Sequence, residues 1–457
     1  MIPSNVKDRL EAARATMAHV SAAVAHGRVS SVQGLSVEVV GLGALLSVGD
    51  RIALASRDGR EVTAEVLGFR GTAARAMAFS ALDGIGPGST ARAAARVGQS
   101  GTGGATLAPN DTWLGRVIDP LGMPLDGRGA LPRGDRPLPV RAGPPDATTR
   151  ARLGERLDLG VTALNLFTTC RSGQRLGLFA GSGVGKSTLL SMLARHTACD
   201  VAVLALVGER GREVREFLED DLGSEGLARS VVVTATSDSP PLLRREAAYA
   251  AMTVAEYFRD QGKSVLLLMD SVTRFCLALR EIGLSVGEPP ATRGYPPSVF
   301  AELPRLLERA GPGPEVNGVA GQITALFTVL VEGDDHNEPI ADAVRGILDG
   351  HVVLDRRIGE AGRYPAIDVL RSLSRSVPGC LRPPEREAVR RARSILSTYA
   401  EVADLVRLGA YKAGADPAID EAVVLAPRIE RALNQDKARP TTIEDSFAAL
   451  AVAMEAS

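Results

Sequence analysis

Nine residues near the middle of the chain combine glycines, a lysine and hydroxyl side chains at a spacing that suits phosphate chemistry. Residues 180–188 read AGSGVGKST, after the apolar run 176–179 and before the leucine-rich run 189–193. This order predicts a strand, a loop and a helix, in which glycine N–H groups and a helix N-terminus surround a phosphate. The lysine would reach the β- and γ-phosphates, and the next hydroxyl would bind magnesium. The predicted nucleoside triphosphate site consists of Gly181, Ser182, Gly183, Val184, Gly185, Lys186, Ser187 and Thr188, with Ser187 on the metal.

Two carboxylates follow other apolar runs and could complete a triphosphatase site. Asp270 ends the run 265–269 and is typical of a Walker B aspartate, which acts on the magnesium side of the site. Glu209 lies in the sequence GERGRE directly after the run 201–207, where it could polarise an attacking water. Taken alone, Glu209 fits an ordinary strand-end glutamate equally well.

The central segment has the pattern of a sheet covered on both faces. Residues 201–207, 230–233 and 265–269 are nearly continuous apolar runs, as in buried parallel strands, and residues 243–261 read as a connecting helix. We therefore expect a doubly wound α/β domain that binds its ligand at the carboxyl ends of the strands.

The flanking segments predict two further domains. Short runs at 37–40, 51–54 and 62–67, separated by Gly/Asp turns, predict a small β-barrel, and a proline-rich connector at 132–145 leads away from it. Residues 390–408 have helical periodicity and few strand signals surround them. The predicted organisation is an N-terminal helix (1–20), a β-barrel (21–100), a P-loop domain (101–378) and a C-terminal helical domain (379–457).

The first twenty residues carry an apolar stripe at helical spacing, formed by Val6, Leu10, Ala13, Met17 and Val20. This face could pack on the barrel, or it could dock on another protein.

Composition excludes several function classes. The 457 residues contain 53 Lys and Arg against 54 Asp and Glu, so no global field attracts nucleic acid or anionic membrane. Four widely separated cysteines predict reduced thiols in a cytosolic protein. The N-terminus lacks a signal-peptide pattern and no apolar run approaches eighteen residues, so membrane contact is expected to be peripheral.

Longer motifs carry a family resemblance across nearly all of residues 110–425. The chain resembles the catalytic subunits of the rotary ATP synthase superfamily, more closely the export ATPases of type III secretion, and most of all the flagellum-specific ATPases. The matching segments are LGRVID (114–119), residues 177–188, residues 207–217, YFRDQG (257–262), DSVTRF (270–275), GEPPATRGYPPSVF (287–300), VEGDDHNEPIAD (331–342), GRYPAIDVLRSLSR (362–375) and AYKAGADP (410–417).

The resemblance implies a RecA-like core, ATP and Mg²⁺ as ligands, and a role for each matching residue. Two of these residues also fit an ordinary structural role without contact to nucleotide: Tyr364 could be a core tyrosine and Arg375 a surface arginine. Because Glu209 and Arg375 occur in one chain, copies of it could build every shared site, and the family implies a homohexameric ring. The implied roles are Glu209 activating water, Arg210 contacting phosphate, Asp270 holding magnesium through water, Arg274 lying near the γ-phosphate, Tyr364 stacking on adenine, and Arg375 reaching into a neighbour's site.

The resemblance also implies partners and a location. These are a stator-like regulatory partner that binds residues 1–20, a central-stalk protein, export chaperone–substrate complexes and an export gate at the membrane. The chain would be cytoplasmic and peripherally associated with the cytoplasmic face of the inner membrane. Residues 287–300 match the segment that lines the central channel of the ring, although a long surface loop fits them equally well.

Three other functions remain open from the sequence. A ring-shaped RNA helicase of the transcription-termination type shares the ATPase core, but Phe69 and Phe79 are the only aromatics within 21–95 and basic residues are not in excess. A non-catalytic nucleotide-binding subunit would lack the carboxylate found here at Glu209. A virulence injectisome ATPase is the remaining alternative, and the motifs at 351–355 and 362–365 look more flagellar. No specific nucleic acid partner is expected.

Overall fold

The computed structural model describes residues 25–93, 105–181, 183–315, 318–331 and 338–455. The helix predicted within residues 1–20 lies outside them, as do Ser182 and residues 332–337 of the motif at 331–342. The described residues divide into two compact units, the first holding the N-terminal strands with Pro240–Leu242 and Ile282–Glu288, and the second holding the rest. Within the described ranges, no helix combines the length and apolar character needed to cross a membrane.

In the first unit, six strands of the described chain close into a barrel. Their order around it is β1, β2, β5, β4, β3, β6, and β6 pairs again with β1. Burial alternates along the second and third strands, so that Val37, Val39, Ile52 and Leu54 fill the barrel core. The small β-barrel predicted from the sequence is confirmed. The strands are β1 (His26–Gln33), β2 (Ser36–Val40), β3 (Arg51–Ala55), β4 (Glu61–Arg70), β5 (Ala73–Ala78) and β6 (Thr90–Ala93).

The second unit contains a long, mostly parallel sheet. Its described strands are ordered β19, β18, β12, β17, β15, β13, β14, β8; β19 runs antiparallel to β18, and β16 pairs antiparallel with β17. Val201–Val207 and Ser230–Ala235 are buried along their whole length, as the apolar runs predict. The strands of this sheet are β8 (Arg116–Ile118), β12 (Arg175–Ala180), β13 (Val201–Val207), β14 (Ser230–Ala235), β15 (Ser264–Asp270), β16 (Gly311–Pro312), β17 (Gln322–Leu330), β18 (Gly350–Leu354) and β19 (Ile367–Ser374). In the described part of the chain, two separate two-stranded sheets pair β7 (Thr106–Leu107) with β9 (Leu138–Pro139) and β10 (Arg156–Leu157) with β11 (Cys170–Arg171).

Helices flank this sheet and form the end of the described chain. Leu178 of the sheet belongs to the same buried cluster as Val389, Leu425 and Ile429 of the C-terminal helices, so these helices share the core of the nucleotide-binding sheet. The α-helices are α1 (Thr162–Phe167), α2 (Lys186–His196), α3 (Gly211–Glu216), α4 (Gly223–Ala228), α5 (Pro241–Arg259), α6 (Val272–Ser285), α7 (Pro297–Leu307), α8 (Pro339–Ile347), α9 (Arg356–Glu360), α10 (Pro383–Arg407), α11 (Pro417–Ala432) and α12 (Ile443–Met454). A π-helical segment, Phe217–Leu222, follows α3, and Asp111–Trp113 and Thr292–Gly294 are 3₁₀ turns.

Buried ion pairs fasten the proline-rich connector to α5. The fully buried Arg309 donates two hydrogen bonds to Glu256, at 2.9 and 2.6 Å, and another to the carbonyl of Val140 at 2.7 Å. One residue further along the connector, Arg141 pairs with Glu246 at 3.0 Å. Breaking such a pair leaves an uncompensated buried charge, so the connector is held firmly against the helix that precedes β15.

All four cysteines are free thiols, as predicted. Burial raises the pKa of the Cys170 and Cys276 thiols well above the ordinary value, so both stay neutral and act as small apolar core residues.

Candidate active site

The predicted phosphate loop lies between β12 and α2, at the carboxyl edge of the sheet. Gly183 and Gly185 have φ angles of 76° and 90°, in the left-handed region that glycine enters without a Cβ clash. The turn at Gly185 leads directly into the helix, whose first residue is Lys186. Ser187 in the next position is exposed, so its hydroxyl is accessible to a metal ion.

Lys186, the first residue of α2, is the centre of a cluster of charges at the carboxyl ends of the strands. Its Nζ atom lies 2.6 Å from Asp270 Oδ1 and 3.2 Å from Glu209 Oε1. Thr328 of β17 donates its hydroxyl to the same Asp270 oxygen at 2.7 Å. The structure therefore brings together the lysine and both carboxylates predicted from the sequence, and adds Thr328.

The surroundings of Lys186 and Glu209 raise the pKa of both groups. Burial alone would lower the pKa of Lys186, but the charges of Asp270 and Glu209 outweigh it and raise that pKa. Burial and the charge of Asp270 raise the pKa of Glu209, against the opposing effect of Lys186. A raised carboxyl pKa makes Glu209 a better proton acceptor at neutral pH than an ordinary glutamate.

Of the two predicted arginines, Arg274 lies close to the backbone beside Glu209 and Arg210 points away to solvent. Gly208 directly follows β13 with a φ of 72°, and a Cβ there would lie 3.0 Å from the side chain of Arg274. This close approach places the half-buried Arg274 of α6 next to the residue that precedes Glu209. Arg210, by contrast, is 80% exposed and pairs with Glu213 at 3.1 Å. Its predicted contact with phosphate would require the side chain to leave Glu213.

Tyr364 lines a pocket beside the phosphate loop. The pocket has a volume of about 230 Å³, and Gly185, Thr188 and Met192 form its side nearest the loop. Tyr364 is half-exposed, which excludes the alternative of a core tyrosine. The other wall, formed by Pro365, Gln435, Asp436 and Lys437, could not be found from the sequence.

Arg375 lies at the opposite edge of the same sheet. Its neighbour Ser374 pairs with Gly350, the first residue of β18, and Arg375 N donates to the Asp349 carbonyl at 2.9 Å. Asp349 N in turn bonds to the carbonyl of Arg175, where β12 begins, whereas the phosphate loop follows Ala180, where β12 ends. The five-residue step from Arg175 to Ala180 along the strand corresponds to about 17 Å between the start and the end of β12. Arg375 is therefore far from the phosphate loop of its own chain.

The Arg375 side chain is exposed and makes no hydrogen bond or ion pair with the residues that the structure describes. Its guanidinium group can therefore bind another molecule.

Three family models match the barrel, the nucleotide-binding segment and the C-terminal helices. The ATP synthase alpha/beta family nucleotide-binding domain matches residues 160–374, the beta-barrel domain of that family matches residues 25–93, and the T3SS EscN ATPase C-terminal domain matches residues 381–452. The flagellum-specific ATP synthase of Caulobacter vibrioides is 56% identical over 427 residues, which cover 93% of this chain and 95% of that protein. The Salmonella typhimurium protein of the same name is 47% identical over 442 residues, 95% of either chain.

A solved structure gives the same result. The assembled ATPase EscN in complex with its central stalk EscO, from the type III secretion system of enteropathogenic E. coli, superposes with a TM-score of 0.84 at 38% identity, covering 94% of this chain and 100% of that chain. Barrel, phosphate-loop sheet and C-terminal helices thus define an ATPase of the type III export class. The chain belongs to the family of flagellum-specific ATP synthases.

Proposed function

We propose that this chain hydrolyses Mg-ATP in a homohexameric ring and so supports the unloading, unfolding and export of flagellar proteins. The observation that carries the proposal is the separation of the site's parts within one chain. Lys186, Glu209 and Asp270 meet at one edge of the sheet, while Arg375 lies exposed at the other edge. A second copy must therefore supply the arginine, and a closed ring supplies it to every site.

Each side chain of the cluster has a distinct task. Lys186 leaves its two carboxylates to bind the β- and γ-phosphates, and Glu209, released from the lysine, orients and deprotonates the attacking water. Arg274 and Arg210 stabilise charge on the γ-phosphate, and Tyr364 stacks on the adenine ring.

The residues present also suit magnesium. A hydroxyl at Ser187 and a carboxylate at Asp270, acting through water, match the oxygen ligands and retained water that Mg²⁺ prefers. Among the described residues no group of three or more His, Cys, Asp or Glu side chains could hold a metal, so substrate phosphates and water would complete the shell. When bound, the ion neutralises charge that develops between the β- and γ-phosphates.

The choice between flagellar and injectisome export rests on the relatives. Proteins named flagellum-specific ATP synthase reach 56% identity, whereas the ATPase EscN of a type III secretion system is 38% identical and a second type III secretion ATPase, from pathogenic bacteria, is 44% identical over 77% of this chain. The RNA helicase alternative is disfavoured by the barrel, where Phe79 is buried beneath Arg51 and cannot stack on a base, so the exposed Phe69 is the one phenylalanine ring of the described barrel that could do so.

The further partners extend this proposal. By analogy with EscN and EscO, a central-stalk protein would bind the ring. A stator-like partner at residues 1–20, chaperone–substrate complexes and an export gate would hold the ring at the cytoplasmic face of the inner membrane.

A concentration series tests the shared site. We expect the specific ATPase activity to rise steeply with protein concentration, in step with the appearance of hexamers in analytical ultracentrifugation, because isolated chains lack the second copy's Arg375. Full specific activity at concentrations where only monomers sediment would contradict the proposal. A map of the neighbouring genes separates flagellar from injectisome export.

Removing residues 1–20 is expected to eliminate the complex with the stator-like partner while leaving nucleotide binding intact. A short amphipathic helix is marginal alone and gains stability on a partner. Leu10→Asp should act similarly, because its charge would have to be buried in the contact. Ala12→Asp, on the opposite side of the predicted helix, is the matched control. Co-purification with the partner encoded in the same operon measures the effect, and full retention by both variants would show that this segment is not the docking site.

A further inference from the structure

The base pocket beside the phosphate loop is assembled from distant parts of the chain. One wall belongs to α2 and the turn before it, through Gly185, Thr188 and Met192. The other wall combines Tyr364 and Pro365 with the segment that follows α11. The geometry of the pocket therefore depends on what joins Tyr364 to that segment.

Two hydrogen bonds hold the backbone of Tyr364 on both sides. Its N–H donates to the side-chain oxygen of Asn434 at 3.0 Å, and its carbonyl accepts from the N–H of Gln435 at 2.7 Å. The ring itself is 50% exposed, so few packing contacts fix it in place. The position of the ring is thus set mainly through its backbone, by these two residues.

The side chain of Gln435 connects this pair to a third segment. Its Oε1 atom accepts from the N–H of Thr162 at 2.9 Å, and its Nε2 atom donates to the carbonyls of Gly160 at 2.8 Å and Arg439 at 2.7 Å. Thr162, at the start of α1, is buried. Truncating Gln435 would leave the N–H of Thr162 without its partner and would leave the Gly160 carbonyl with only its bond from the N–H of Thr441, so the segment 434–437 would shift to recover hydrogen bonds.

We propose that Gln435 is a positioning residue of the base pocket: it anchors Tyr364 and the 435–437 wall to the start of α1, and so sets the affinity for the base of the nucleotide. The inference rests on the proposed function, because it assigns base stacking to Tyr364. Gln435 acts on the base and not on the triphosphate, since its contacts are with Tyr364 and the turn at Gly160 and not with Lys186, Glu209 or Asp270.

A separate contact makes the proposal testable without unfolding the chain. Arg363, one residue before Tyr364, is buried and pairs with Glu430 of α11 at 2.5 Å, and it also donates to the Ile367 carbonyl at 2.7 Å. This contact does not involve Gln435. Loss of Gln435 should therefore loosen the ring of Tyr364 while its loop stays attached to α11.

In the full-length protein, Gln435→Ala should raise the KM for ATP about tenfold and change kcat less than twofold. Inhibition by Mg-tripolyphosphate, which has the phosphates but no base, should be unchanged. Tyr364→Ala should raise the KM at least as much, and adding Gln435→Ala to it should have little further effect, because both changes act through the same ring. Gln261→Ala, a glutamine that bonds to Asp111 away from the pocket, is the matched control and should leave all of these values unchanged.

Three results would overturn the inference: an unchanged KM, a fall in kcat alone, or an equal loss of affinity for ATP and tripolyphosphate. If Gln435→Ala fails to fold, Gln435→Glu replaces it, because it keeps the acceptor for Thr162 and loses both donors; the same selective rise in KM is then required. Binding competition between ATP and tripolyphosphate needs no turnover, so absence of hydrolysis would contradict the proposed function without affecting this test.

Discussion

Arg375→Ala is expected to slow ATP hydrolysis about a thousand- to a hundred-thousandfold while nucleotide binding is retained. This loss corresponds to about 4–7 kcal/mol of transition-state stabilisation. The reason is electrostatic, because an arginine from a neighbouring copy would neutralise charge that develops on the γ-phosphate during transfer. Steady-state hydrolysis at saturating ATP, with a fluorescent-nucleotide binding assay beside it, measures both effects.

Mixing variants tests whether the arginine acts between copies. Lys186→Ala removes the charge aimed at the triphosphate and should also be inactive by itself. In mixed rings, some subunit interfaces join an Arg375→Ala copy, which has an intact phosphate loop, to a Lys186→Ala copy, which has an intact Arg375. Part of the activity should therefore return. No recovery in rings shown to contain both variants would mean that Arg375 acts within its own chain or has no catalytic role.

Arg371→Ala is the matched control for this arginine. Arg371 lies on β19, four residues before Arg375, and is exposed like it, but it already pairs with Asp355 at 3.5 Å. Its removal should change the rate less than twofold. A loss as large as that of Arg375→Ala would show that the whole strand face, and not one guanidinium group, is required.

The sequence predicted the parts of the site that depend on local order along the chain. The phosphate loop, Asp270 and Glu209 each follow an apolar run, and parallel strands bring their carboxyl ends to one edge of a sheet. The salt bridges of Lys186 to Asp270 and Glu209 are consistent with this expectation. The barrel was predictable for a similar reason, because alternation within short strands defines an inner face.

Other contacts of the site have no local sequence pattern from which they could be predicted. Gln435 bonds to the Tyr364 carbonyl across 71 positions of sequence, and its side chain bonds to backbone atoms of Gly160 and Thr162 that every residue type supplies. Thr328 is one of two threonines in a mostly apolar strand, and the pairing of β15 with β17 places it beside Asp270. Such contacts depend on strand order and helix packing, which periodicity does not determine.

Glu209→Gln is expected to bind Mg-ATP but to hydrolyse it about a hundred- to ten-thousandfold more slowly, the usual contribution of a general base. Glutamine keeps the size of the side chain and an oxygen facing Lys186, and Asp270 still holds that lysine at 2.6 Å. The phosphate loop should therefore remain intact, while the group that accepts the proton of water is lost. Single-turnover hydrolysis and nucleotide binding, measured on the same preparation, separate these effects.

The pH dependence identifies the base independently. Glu209 must be ionised to accept a proton, so kcat/KM should fall as the pH drops through its pKa. Burial and the charge of Asp270 raise that pKa, so the fall should begin at higher pH than for an ordinary glutamate. The pH profile of Glu209→Gln should lack this acidic limb, the fall in kcat/KM at low pH. Glu216→Gln, an exposed carboxylate of α3 paired with Arg212, is the control and should retain both the rate and the limb. If Glu209→Gln turned over at the wild-type rate with saturating ATP but bound it poorly, Glu209 would be a binding residue and not the base.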